Sequence, residues 1–565
     1  MTSQLTILFG AILLSGCMAT HSTSSSNATV SAPAMSGTTA SATAPMTAAD
    51  DQPAAAATGA GPRVESPEFW RAEGRRILAR AQRPANNHTR ARNVILFVGD
   101  GMGIASVTAA HILQGQQRGQ RGEENLLSFE RFPSTAFSKT YTVDMQTSES
   151  AGTMSAMMTG IKTRGGSISM DQIPARGTCA NTQDHAAITL LEQAEDAGMA
   201  TGVVSTARIT HATPAATYAH VTDRDWEADA RMPPERIAEG CIDIARQLVE
   251  FKHGDGVDVV LGGGRMMFMT ADQGDPEEAF RKGLRRDGRD LIKDWQLRYP
   301  TGRYVWNSAQ FNALDLRAGG HVLGLFEADH MEFESDRARD AGGEPSLTDM
   351  TRAAITALQT NRKGFFLMVE AGRIDHGHHA GNAYRALMDA IELSNAVQAA
   401  AEMTGDDDTL IVVTADHSHT FGIVGYPTRG NPILGLARGE DGKPMLDALG
   451  LPYTTLAYAN GPGYLGASAE QPEGPKHFPH GGRDYKGVTR GRSDLTHVAT
   501  DDPNYLQESA IPGPAESHAG EDVPVYARGP GSQWVHGALE QNALYWIMQA
   551  VLPDLATPAA QGNSK

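Results

Sequence analysis

Uninterrupted apolar runs punctuate the chain at NVILFVGD (93–100), ATGVVST (200–206), VDVVLGGG (257–264), GFFLMVE (364–370), DTLIVVTADH (408–417) and PVYARG (524–529). Runs of this length that do not alternate with polar residues fit strands buried on both faces, the pattern of a parallel sheet. Between them the apolar spacing turns helical, in AGTMSAMMTGIK, AAITLLEQAEDAG, PERIAEGCIDIARQLVEF, TDMTRAAITALQ and AYRALMDAIELSNAVQAAAEM. Strand and helix in alternation predict an α/β fold, with a central, mostly parallel sheet and helices on both faces. Before the first run, SPEFWRAEGRRILARAQ reads as a capped amphipathic helix whose apolar Phe69, Trp70, Ile77 and Leu78 suit a partner subunit. A polar stretch (265–345) and a Gly/Pro-rich insertion (420–515) interrupt the rhythm, and so long an irregular segment points to a lid or an oligomer surface.

Composition narrows the classes. The 565 residues, 40% of them hydrophobic, can bury a sizeable core in one large α/β domain, expected over 63–555. A net charge of −18 argues against an electrostatic nucleic-acid binder, and any phosphate site on so acidic a chain must be locally positive. Bound cations supply that. The opening MTSQLTILFGAILLSGC has the apolar stretch and small residues of an export signal (1–17), and Leu14-Ser15-Gly16-Cys17 resembles the lipobox of bacterial lipoproteins, although no Lys or Arg precedes Cys17. The expectation is an exported chain, in the periplasm or on the outer membrane of a bacterium, lipid-anchored through Cys17, the alternative being an ordinary secretory signal in which that cysteine is incidental. Residues 18–62, rich in Ala, Ser, Thr and Pro, read as a disordered tether. In an exported chain the two remaining cysteines, Cys179 and Cys241, favour a disulfide over a zinc pair.

Chemistry-bearing residues collect at the carboxyl ends of the runs, which in a parallel sheet form a single rim. Asp100 stands in GDGMG and Glu370 closes GFFLMVE. In VEAGRIDHGHHAGN, Asp375 and His379 share one helical face at a spacing suited to two ligands of one zinc ion, and His376 and His378 support them or face solvent. Asp416 and His417 follow a strand directly, and His518 lies in ESHAGED. Ser150, in TSESAGTMSAMMTGIKT, falls at a helix start, either as a plain N-cap or where backbone N–H groups attract an anion. Together these residues suffice for two zinc sites and an oxygen-rich magnesium site.

VGDGMG, SAGTMSAMMTGIKT, HATPAATYAH, VEAGRIDHGHH, TADHSH and ESHAGEDVPVYARGP, in this order, resemble the alkaline phosphatase family, its animal members more than the enterobacterial enzyme. The resemblance implies hydrolysis of phosphate monoesters through a phosphoserine at Ser150, with Arg224 clamping the phosphoryl oxygens. It implies one zinc on Asp375, His379 and His518, and a second on Asp416, His417 and Asp100 that also contacts Ser150. A magnesium would bind Asp100, Thr213 and Glu370, giving two zinc ions and one magnesium per chain. It also implies a homodimer with a crown-like insertion at 420–515, a Cys179–Cys241 disulfide, and a calcium site from Glu277, the Phe326 carbonyl, Glu327 and Glu344. His211 and His376 stand where the enterobacterial enzyme has aspartate and lysine, as in animal members. Glu149 and Glu344 replace aspartates of the family, the first adjusting the helix start and the second altering the calcium site. Ser150 argues against a phosphodiesterase or sulfatase of the same superfamily, which place Thr or a modified Cys there. A non-catalytic zinc-binding surface lipoprotein would have no use for Ser150 or Arg224.

Overall fold

The computed structural model describes residues 69, 71–76, 88–179, 182–552 and 555. The export signal, Cys17, the tether, and the Trp70, Ile77 and Leu78 positions of the first helix therefore lie outside the described residues. Phe69 and residues 71–76 are helical, with an ion pair between Glu73 and Arg76.

Ten strands form one sheet: β1 Asn93–Gly99, β2 Ser134–Lys139, β3 Ala200–Arg208, β4 Val259–Gly263, β5 Arg303–Val305, β6 Val322–Leu325, β7 Phe365–Ala371, β8 Thr409–Thr414, β9 Val523–Arg528 and β10 Gly537–Glu540. Their order is β10-β2-β9-β8-β1-β7-β3-β4-β6-β5. Every pairing is parallel except those of β9, which runs antiparallel to both β2 and β8. The central strands β1, β7, β3, β4, β6 and β8 are buried on both faces, as the unbroken apolar runs require. In β1, Val94, Leu96 and Val98 enter one hydrophobic cluster, and Ile95 and Phe97 enter the other. Helices α1 (Ile104–Gln117), α5 (Leu347–Leu358) and α7 (Ala383–Met403) cover the second cluster, and α2 (Ser150–Thr159), α3 (Leu190–Asp196), α4 (Ile244–Val249) and α8 (Ala543–Val551) the first.

Three local features differ from the sequence reading. PERIAEGCIDIARQLVEF is two short helices, Pro234–Ala238 and Ile244–Val249, because Gly240 turns left-handed (φ 94°) and Asp243 caps a fresh start by accepting from the Arg246 N–H. The polar 265–345 stretch contributes β5 and β6, strands of three and four residues that are too short to show a period. PVYARG follows closely on His518, as the sequence has it, yet His518 still reaches the rim, which a parallel strand in that place would not allow. Because β9 is antiparallel, its amino end lies on the same rim as the carboxyl ends of the others, and His518 reaches that rim from just before it. Cys179 and Cys241 are disulfide-bonded, with Cα atoms 5.8 Å apart. Within 420–515, Phe421–Ile423, Leu456–Gly461 and Ser509–Pro512 make a three-stranded sheet.

Candidate active site

The rim is assembled by strand ends in the centre of the sheet. Asp100 follows β1 directly, and Gly101 turns the chain at φ 68°. A Cβ there would stand 2.3 Å from His419 Nε2, so only glycine lets the turn pass. Glu370 lies within β7, α6 (Arg373–His379) begins just beyond it, and Asp416 and His417 follow β8. The short strand Ser418–His419 pairs antiparallel with His518–Ala519, so His419 and His518 stand opposite each other.

The structure draws these side chains into three groups whose ligand atoms lie within 4.8 Å of one another: Asp375, His379, His419 and His518; Asp100, Asp416 and His417; Asp100, His211 and Glu370. In the first group, His379 Nδ1 engages the Glu516 carbonyl at 2.5 Å and His518 Nδ1 the Ser148 carbonyl at 2.8 Å. A carbonyl only accepts, so each Nδ1 carries the proton and each Nε2 presents a lone pair. Those two Nε2 atoms face each other at 3.0 Å, and both lie 3.3 Å from Asp375 Oδ1. Lone pairs converging in this way call for a shared cation. His419 plays another part: Glu516 takes its Nδ1 and Asp375 Oδ1 its Nε2 at 2.9 Å. Burial opposes its charge, yet Glu516 and Asp375 hold it up to about 9, so it steadies Asp375 as an imidazolium.

In the second group His417 Nε2 lies 3.2 Å from Asp100 Oδ1 and 3.5 Å from Asp416 Oδ2. The Ser150 hydroxyl, almost fully buried, sits 3.2 Å from the same nitrogen and 3.4 Å from Asp100 Oδ1. Ser150 is the first residue of α2 rather than its cap. The cap is Glu149, whose carboxylate accepts from the N–H groups of Ala151 and Gly152 at 3.0 Å and of Gly166 at 2.7 Å. Glu149 also pairs with Arg224, whose other terminal nitrogen is 3.0 Å from His211 Nε2. Burial pushes the Glu149 carboxyl up, but Arg224 and the three N–H groups outweigh it and leave it below the usual carboxylate range.

Unpartnered buried atoms mark the third group: Asp100 Oδ2, His211 Nδ1, Thr213 Oγ1 and Glu370 Oε1. Burial, then the neighbouring carboxylates Asp416, Asp375 and Glu370, drives Asp100 well above the usual carboxylate range. Burial likewise lifts Glu370 to about 7, against the hydroxyl of Ser205. Such a crowd of desolvated carboxylates with orphaned oxygens is the donor set of hard cations, and the site fits metal ions. The other two histidines of the run are not solvated. His378 is fully buried between the Ser106 and Tyr458 hydroxyls, 2.8 Å from each. His376 lies 3.0 Å from an Arg373 nitrogen, with the His330 ring centroid at 4.1 Å.

The 265–345 region gathers a different acidic set. Glu277, Glu327 and Asp340 lie within 4.8 Å of one another. Glu344, buried nearby, spends Oε1 on the Glu332 N–H at 3.1 Å, while its Oε2 and Asp340 Oδ2 have no partner. Sequence reasoning passed over Asp340, His419 and Glu516. His419 alone carried a signal, two residues beyond His417 on what becomes a strand face.

A model of the family described as alkaline phosphatase matches residues 91–553. The tissue-nonspecific alkaline phosphatase of Gallus gallus is 42% identical over 487 residues, covering 85% of this chain and 88% of the relative. The alkaline phosphatase of Gadus morhua is 41% identical over 482 residues, or 84% and 95%. Among solved structures, the Thermus thermophilus alkaline phosphatase superposes with TM-score 0.56 at 23% identity, covering 83% of this chain and 93% of that one. A TAB5 alkaline phosphatase mutant with Mg bound in its M3 site superposes with TM-score 0.53 at 21% identity, over 82% and 99%. The chain belongs to the alkaline phosphatase family, whose metal-dependent enzymes hydrolyse phosphate monoesters.

Proposed function

We propose that Ser150 is the nucleophile, forming a phosphoserine that water then hydrolyses, and that the substrate is any accessible phosphate monoester. The carrying observation is the placement of its hydroxyl beside Asp100 and His417, buried at the first turn of α2, where the helix dipole favours the developing negative charge. Burial keeps His417 neutral, so its Nε2 lone pair stands beside Oγ and Asp100 as a donor for the cation these residues would hold, which would lower the pKa of the neighbouring hydroxyl. Arg224 donates to Glu149 from one terminal nitrogen and to the Nε2 of neutral His211 from the other, and these two bonds orient the guanidinium so that its remaining N–H groups can meet the phosphoryl oxygens.

Asp375, His379 and His518 would hold one zinc, Asp416, His417 and Asp100 a second, and Asp100, Thr213 and Glu370 a magnesium. When bound, these cations lower the pKa of coordinated oxygens and stabilise the charge that builds up in phosphoryl transfer. The chain's own part is orientation. Glu516 and Ser148 fix the imidazole tautomers, His419 steadies Asp375, and Glu149 sets the start of α2.

The disulfide supports an oxidising compartment, in keeping with an exported, Cys17-anchored chain. Among the described residues no helix is long and apolar enough to cross a membrane. The exposed Tyr426, Leu446, Leu449 and Ile511 of the insertion support a homodimer surface. Metal analysis of the purified protein, run alongside turnover of a chromogenic monoester and a matched diester, tests the reading. Bound zinc and magnesium with strong monoester preference are expected, and equal or greater diester turnover would reject it.

A further inference from the structure

The opposite edge of the sheet carries ligand-type side chains that phosphoryl transfer does not use. Strands β4 and β6 begin at Val259 and Val322, and the residues just before them are Asp258 and His321. Backbone pairing sets these two side by side: the Asp258 N–H donates to the Thr201 carbonyl at 3.1 Å, and the Val322 N–H donates to the Asp258 carbonyl at 2.7 Å. Asp255 joins from the loop ahead of β4. One ligand atom from each of Asp255, Asp258 and His321 lies within 4.8 Å of the other two.

Glu195 is a separate observation. It is 1% exposed, at the end of α3, and while its Oε1 accepts from the Thr201 hydroxyl, Oε2 has no partner. The Thr201 N–H also holds Asp258 Oδ2 at 2.8 Å, so one residue carries both carboxylates. The loop runs hard against the orphaned oxygen. A Cβ on Gly254, next to Asp255, would stand 2.3 Å from Glu195 Oε2. His321 Nε2 is buried without a partner too, its ring stacked on Tyr299 at 4.0 Å between centroids. The neighbouring cation, Arg298, is committed to the Tyr299 hydroxyl and the Phe251 carbonyl. Unpartnered buried oxygen and nitrogen are rare in folded interiors and call for a missing partner. Burial foremost lifts Glu195 to about 9 and Asp258 to about 7, the direction a bound cation reverses.

We propose that Asp255, Asp258 and His321, backed by Glu195, form a metal site for a divalent transition ion of the zinc class, remote from the catalytic rim. Mixed carboxylate and imidazole donors suit zinc better than calcium or magnesium, which take oxygen alone. An ion there ties the loop before β4 to α3 and β6, a structural part rather than a catalytic one.

The test is zinc content. Full-length protein is equilibrated with Zn2+ and Mg2+, desalted and analysed by inductively coupled plasma mass spectrometry as wild type, Asp255→Asn and His321→Gln. Monoester turnover is measured on the same samples. Each variant should hold one zinc per chain fewer than wild type and keep turnover within about twofold. Asp255 is exposed, so Asp255→Asn keeps the fold and decides the matter should His321→Gln fail to fold. Equal zinc in wild type and Asp255→Asn overturns the proposal. Zinc loss accompanied by lost turnover also overturns it, since the missing ion then belongs to the catalytic rim.

Discussion

The catalytic rim and the acidic group of the 265–345 region both crowd carboxylates together, yet they differ in how the crowding is relieved. In the acidic group a protein cation is built in. Arg265, fully buried, forks onto Asp275 at 2.7 and 2.8 Å and reaches Glu277 at 3.3 Å, while the Gly342 N–H caps Glu277 at 2.6 Å. At the rim, Arg224 is spent on Glu149 and His211, so Asp100, Glu370 and Thr213 keep orphaned oxygens. One region can stand without metal. The other is built around it, because a charge neither paired nor protonated is too costly in a dry interior.

The sharpest break would come from Ser150→Ala, which removes the hydroxyl at the rim and no packing. Monoester kcat should fall on the order of 10³-fold or more, with the melting temperature and zinc content held. Unchanged kcat would end the phosphoserine reading. Arg224→Ala should come next, raising the inhibition constant of inorganic phosphate by about 10- to 100-fold, the worth of charged hydrogen bonds lost from a bound anion. An unchanged constant would show that the arginine serves Glu149 alone.

Calcium sharpens the comparison from the other side. Burial, then Asp340, lifts Glu277 to about 6, and burial, then Glu277 and Asp340, lifts Glu327 to about 8, so Arg265 relieves the group only partly. Added calcium should raise Tm by about 2–5 °C in calorimetry, and Asp340→Asn should abolish the rise. If Glu344→Gln abolishes it and Asp340→Asn does not, the longer Glu344 side chain is the ligand after all.

The smallest effect concerns a third carboxylate whose cations are histidines. Glu192 lies 2.8 Å from His220 and 3.3 Å from His253. Burial raises it, but the two imidazoles bring it down to about 2. Chiefly through Glu192, His253 is held up to about 9 from its ordinary 6.5. A raised histidine adds stability that is full below its unfolded value and lost as pH climbs through the folded one. Tm should therefore drop by about 1–2 °C between pH 7 and 9.5, and Glu192→Gln should flatten the drop. An unaltered slope in the variant would place its origin elsewhere.

What could be read from the chain follows the range of the forces involved. Strands such as β1 and β7 announce themselves because burial on both faces demands an unbroken apolar run. Residues 373–379 and 416–417 stand out because neighbours in sequence share a helical face or a strand end. Asp340, Glu516 and Glu195 were silent, since their company comes from distant segments and each resembles a solvated surface acid. The pairing of His419 with His518 depends on two tiny strands with no period of their own. The break after Ala238 was hidden for a related reason: helical spacing runs through Gly240 although its backbone does not.

Strand β9 gives the molecule a clock. The residues of the rim lie along the chain in the order Asp100, Ser150, Glu370, Asp375 and Asp416, and all wait for His518, which arrives only with the antiparallel strand that docks beside β8. A ribosome that has delivered everything else has still not delivered the last side chain of the first group. In a chain exported amino end first, as proposed above, the site would therefore come together only on the far side of the membrane.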